Sequence, residues 1–212
     1  MPNRSLPAVL IPFPTRNPMA RTRYIFIDYE NVSESDLSRV SGKAVRVLMI
    51  IGTRHKKLPT SLFLFAQDHP EQLRIIQTPV DGRNALDLVL TLELGRIIAT
   101  DPGGYFHIVS KDTDFDSVVR HLTGEKKLIT RHASLAEIPA LRTAEERIAR
   151  IKADLADATK PRPSTRKTLE NKIQSAFENK AEPEFIEKTI KSFVQAGILE
   201  FTETDKVNYK AA

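Results

Sequence analysis

Asp112, Asp114 and Asp116 occupy alternate positions in YFHIVSKDTDFDSVVRHL, the stretch from Tyr105 to Leu122. Three carboxylates this close repel one another unless a cation, basic side chains or helix amides compensate. The apolar run Tyr105 to Val109 reads as a buried strand. Phe115, Val118, Val119 and Leu122 recur at the spacing of one helix face, so the acids fall in the turn between strand and helix. Two more aspartates take comparable places. Asp28 ends the run Tyr24 to Ile27, and Asp87 lies in the first turn of a helix expected over Asn84 to Ala99. In an α/β sheet all strand carboxyl ends share one rim, where ligands usually bind. Asp28, Asp87, Asp112 and Asp114 can therefore meet there, with Asn31 beside them. An all-oxygen set of this kind suits Mg²⁺ or Mn²⁺. Such an ion polarises a phosphoryl group and lowers the pKa of its bound water.

Each acid also has a plainer reading. Asp87 stands three residues after Asn84, a candidate N-cap, and Asp114, Asp116 or Thr113 could start the next helix. Asp28 is harder to explain that way, because an unpaired acid at the end of a buried strand is costly.

The elements that must position these residues follow from the patterning. Strands are expected at Tyr24 to Ile27, Val45 to Ile51, Leu73 to Val80, Tyr105 to Val109 and Lys127 to Thr130. Helical segments are expected from Ser33 to Gly42, Pro59 to Ala66, Asn84 to Ala99, Phe115 to Leu122 and Ala140 to Ala158. Apolar strands alternating with helices predict an α/β fold, a doubly wound and mostly parallel sheet covered on both faces. Residues 1–23 hold five prolines and four arginines but no acid, and read as an extended N-terminal arm packed through Val9, Leu10, Ile11 and Phe13. The α/β domain is assigned to 24–158 and a linker to 159–164. Residues 165–212 are read as a small helix-turn-helix or winged-helix-like domain: two helices, Gly197 as a cap, and a hairpin around Glu203 to Asp205.

Composition removes several classes. Of 212 residues, none is Cys, which excludes disulfides, thiolate zinc sites and cysteine nucleophiles and is compatible with a reducing cytosol. The five histidines lack zinc spacing, no serine sits in a nucleophile elbow, and Gly103-Gly104 precedes a strand, unlike a phosphate loop. No apolar run reaches the roughly 18 residues of a membrane span, and no signal peptide is recognised. A cytoplasmic location is expected. The formal charge of +5 permits a polyanionic partner.

FIDYENV at 26–32, NALDLVLTLELG at 84–95 and FHIVSKDTDFDSVVRHL at 106–122 together resemble the NYN family of PIN-like nucleases. The resemblance covers about residues 22–135. It implies a Mg²⁺- or Mn²⁺-dependent ribonuclease with Asp28, Asp87, Asp112 and Asp114 as catalytic and metal-binding acids, and with Asn31 and Ser110 in support. Lys111 departs from the family, where a small glycine is common, and could touch substrate phosphate. Asp116 matches no essential position and is left to solvent or to the helix start. The implied reaction is hydrolysis of RNA, and of DNA as a less favoured substrate, leaving 5′-phosphate and 3′-hydroxyl ends. Arg54, His55, Lys56 and Lys57 follow a strand end aimed at the rim, and Arg83 lies beside another, so these are the expected phosphate contacts. Arg120, Lys126, Lys127 and Arg131 are read as a solvated face. The C-terminal module is nearly balanced in charge, which leaves DNA, a protein partner or a second copy of the chain open to it. Two other readings of the main domain stand beside the nuclease: a silent RNA- or protein-binding module, and a phosphatase with an aspartyl nucleophile at Asp28.

Overall fold

The computed structural model describes residues 21–53, 55, 57–78, 82 and 84–209. The N-terminal arm expected over 1–23 therefore lies almost wholly outside the described residues. The chain divides into two compact units, 1–141 and 142–212.

The first unit is built on a five-stranded sheet. Its strands are β1 (Arg23–Asp28), β2 (Val45–Ile51), β3 (Leu73–Gln77), β4 (Tyr105–Val109) and β5 (Leu128–His132). They pair in the order β3-β2-β1-β4-β5, and every pairing is parallel. The near-continuous apolar runs arise because both faces are covered. Ile25, Ile27, Val47 and Met49 pack on one side with Leu62, Leu135 and Ile138. Phe26, Leu48, Ile50, Phe106 and Ile108 pack on the other with Leu86, Leu90, Leu94 and Phe115. Leu62 belongs to helix α2 (Thr60–Asp68), Leu86 to Leu94 to α3 (Ala85–Thr100), and Phe115 to α4 (Phe115–Gly124). The order of strands reverses between β1 and β4. A crevice opens at such a point, outside the carboxyl ends of the strands.

The helix expected over Ser33 to Gly42 is not formed. The chain instead turns at once into a four-residue helix α1 (Tyr29–Val32), because Asp28 caps it by accepting from the Asn31 N–H at 3.3 Å. Ser33, with φ 44°, stops it in the left-handed region. Beyond it the side chains of Glu34 and Asp36 accept from the backbone of Asp36 and Ser38, bonds that compete with helix formation. Only a 3₁₀ turn at Ser38–Val40 remains, although Leu37 and Val40 are buried as expected. Asn84 takes the N-cap position of α3 as expected, but it adopts φ 59° and its side chain makes no capping bond.

The second unit begins earlier than the boundary expected at 158. Pro139–Leu141 forms its own 3₁₀ turn in the first unit, and helix α5 (Ala144–Ala156) starts behind a Thr143–Glu146 capping box. Ile151 and Leu155 of α5 are buried with Leu169 and Ile173 of α6 (Arg166–Ala176), Ile186, Ile190 and Phe193 of α7 (Pro183–Gln195), and Leu199 and Val207. The hairpin is β6 (Leu199–Phe201) with β7 (Val207–Tyr209), and Thr165 adds an isolated bridge to Lys206. The two helices and hairpin expected are thus present, with α5 as a third helix of the same core. Among the described residues no helix is long and apolar enough to cross a membrane.

Candidate active site

Asp28 is the last residue of β1 and has no exposed surface. Burial of that carboxylate is offset by its donors. Oδ1 accepts from the Asn31 N–H, and Oδ2 accepts from Asn31 Nδ2 at 2.5 Å and from Ser110 Oγ at 2.8 Å. Asn31 reaches it because α1 folds back over the strand end. Ser110, also fully buried, follows directly after β4 and joins the acids of two strands. Its Oγ donates to Asp28 and accepts from the Asp112 N–H at 3.0 Å. Asp112 Oδ1 in turn accepts from the Asp114 N–H at 2.8 Å. The helix after β4 is therefore entered through an Asx turn made by Asp112, and Asp114 makes no side-chain capping bond.

Asp87, in the first turn of α3, faces the same rim. Its carboxyl is pushed above the usual range first by burial, and then by the charges of Asp28, Asp112, Asp114 and Glu30. That effect requires the four acids expected from the sequence to share one neighbourhood, with Glu30 as a fifth. Asn84 makes no side-chain capping bond, so no capping box explains Asp87.

The donor set is all carboxylate oxygen, with a serine and an asparagine behind it, which fits a hard divalent cation. Asp28, Asp87, Asp112 and Asp114 are the residues that could hold one. Among the described residues, however, no three acidic or histidine side chains stand close enough to grip an ion jointly. Asp28, anchored through both oxygens, is poorly placed as a phosphatase nucleophile, and Glu30 occupies the position where such enzymes carry a second aspartate.

Of the expected phosphate contacts, His55 and Lys57 are described. His55 Nδ1 lies 3.8 Å from Glu30 Oε1, and its ring meets Tyr29 edge-on at 5.2 Å. Glu30 lies directly over Gly52, where any Cβ would collide with its carboxylate. Lys57 and Lys111 are exposed, while Arg54, Lys56 and Arg83 lie outside the described residues.

Arg131 departs from the solvated face expected of it. Its Nε donates to Asp116 Oδ1 at 2.6 Å, Nη2 to Asp116 Oδ2 at 3.1 Å, and Nη1 to the Ser110 carbonyl at 3.1 Å. Asp116 is therefore bound to β5 and not merely solvated. Glu30 was not among the expected site residues, although the Asp-Tyr-Glu-Asn run holds it, and no local pattern announces the pairing of Asp116 with Arg131.

A family model described as a PIN domain matches residues 22–131, more than half of the chain. The chain belongs to the PIN domain family. The match covers β1 through the greater part of β5, so all five acids of the rim lie inside the PIN domain. PIN domains are generally nuclease-like and typically use divalent metals. No curated protein and no solved structure matches the chain.

Proposed function

We propose that this PIN domain is a Mg²⁺- or Mn²⁺-dependent endoribonuclease of the NYN type, acting on single-stranded RNA. The observation that carries this reading is the convergence of Asp28, Asp87, Asp112 and Asp114, acids from three separate stretches of chain, beside the switch point of the sheet, where burial first and then the other three charges raise the Asp87 carboxyl. A divalent ion bound there would supply a polarised phosphoryl group and a water of lowered pKa. The chain's own residues do the rest. Asn31 and Ser110 hold the Asp28 carboxylate in one orientation, and Ser110 fixes the main chain at Asp112. Asp87, whose carboxyl is raised first by burial and then by the neighbouring charges, is suited to orienting the attacking water. His55, Lys57 and Lys111, with Arg54, Lys56 and Arg83 from the sequence, would carry the phosphates past an otherwise repulsive rim.

One alternative is a PIN domain that binds RNA without cutting, consistent with the lack of a three-acid cluster among the described residues. The two separate in a cleavage assay on labelled single-stranded RNA with Mn²⁺. The nuclease reading expects 5′-phosphate and 3′-hydroxyl products from the wild type, slower cutting of a duplex, and a loss of about 100-fold or more in Asp112→Asn. Retention of RNA without cleavage by both proteins would establish the binding module instead.

For the second unit we propose a winged-helix-like module. Three helices, a strand contribution from Thr165 and a terminal hairpin support it. Glu182 and Glu184 at the start of α7 oppose phosphate approach, which favours a protein partner or self-association over DNA.

A further inference from the structure

Asp112 and Asp114 ride on a short loop between Ser110, at the exit of β4, and the first turn of α4. A loop of this kind keeps one geometry only if both ends are fixed. A single guanidinium fixes both. Arg131, on the edge strand β5, donates to the Ser110 carbonyl at one end of the loop and grips both oxygens of Asp116 at the other. The fork of the guanidinium matches the planar carboxylate, a geometry that an ammonium cannot reproduce. The Arg131 side chain is only 19% exposed, against 46% for Asp116. An ordinary surface ion pair contributes little. This pair differs because it carries a third bond to the main chain from which Asp112 hangs.

We propose that Asp116 and Arg131 form a clamp that positions Asp112 and Asp114. Both are positioning residues and neither is a ligand. Asp116 is withdrawn from the acidic cluster by its guanidinium, so the third acid of the run supplies rigidity where the first two supply donors. The functional consequence rests on the metal-dependent nuclease reading, whereas the structural consequence does not.

The test uses the full chain as wild type, Asp116→Asn and Arg131→Lys. Asp116→Asn keeps the shape and removes the charge, and Arg131→Lys keeps the charge and removes the fork. Amide hydrogen exchange at Asp112 and Asp114 is measured without metal, together with Mn²⁺ affinity by paramagnetic resonance. Each variant is expected to speed exchange at Asp112 and Asp114 by about tenfold, with the amides of β1 and β2 unchanged. Mn²⁺ affinity should fall by about 10- to 100-fold, and saturating Mn²⁺ should restore cleavage. Wild-type exchange at both loop amides in both variants would overturn the clamp. So would equal acceleration in β1 and β2, which would mark a global effect. If the wild type neither binds Mn²⁺ nor cuts RNA, the nuclease reading fails while the exchange result still decides the clamp.

Discussion

Asp87 records the cost of burying a carboxyl among like charges. Its folded-state carboxyl titrates above the unfolded one, so the acid stabilises the fold fully only below its ordinary range and loses that contribution as pH rises through the folded value. Without metal, Asp87→Asn should therefore raise the unfolding temperature at neutral pH. The gain should vanish in acid, where the carboxyl is protonated in both states. Added Mn²⁺ should reverse the order, stabilising the wild type and not the variant. Thermal unfolding with and without Mn²⁺ checks all three. Much of the site was legible at this scale, because Asp28, Asp112 and Asp114 sit at strand ends where a buried run stops on an acid. Asp116 was not, since its role depends on Arg131, a partner 15 positions away on another element. Glu30 was not expected at the site, because its place over Gly52 depends on the chain folding back after Asp28.

Among the elements, the strands were the most legible, because two covered faces demand unbroken apolar runs. Helix starts were the least. Asn84 looks like a cap yet enters α3 in the left-handed region, and the polar side chains of Ser33 to Asp36 hold local turns where a helix was expected. One pair of strands carries a pH-dependent liability. His107 on β4 meets His132 on β5, Nδ1 to Nε2, at 3.2 Å. Burial first, and then the charges of His132 and Arg23, lower the His107 pKa from 6.5 to about 4. The unfolded chain thus binds a proton that the folded one refuses, and stability is lost as pH falls from 6.5 towards 4. The loss from this group is on the order of 3 kcal/mol. Urea unfolding of the wild type and His107→Leu at the two ends of that window should show the variant losing less stability on acidification. Equal losses would place the acid sensitivity elsewhere.

Across the whole molecule, two cores imply two unfolding units. Leu155 is fully buried among Leu169, Ile173 and Phe193, so α5 is part of the second unit's core. Leu155→Ala should destabilise that unit by about 2–4 kcal/mol and leave the PIN domain unchanged, seen as one shifted transition of two. A fragment of residues 142–212 should fold, while one of 159–212, deprived of Ile151 and Leu155, should not. The reading of α5 as part of the first domain failed because an amphipathic helix announces its apolar face but not which core receives it. The formal charge of +5 permits attraction of a polyanion despite the acidic rim. The most direct measurement of that account is the Mn²⁺-dependence of single-stranded RNA cleavage by the wild type and by Asp28→Asn, Asp87→Asn, Asp112→Asn and Asp114→Asn. The account predicts that the wild type cuts only with the ion and that each variant loses about 100-fold or more at wild-type Mn²⁺ levels. Cleavage without added metal, or wild-type rates in all four variants, would contradict it.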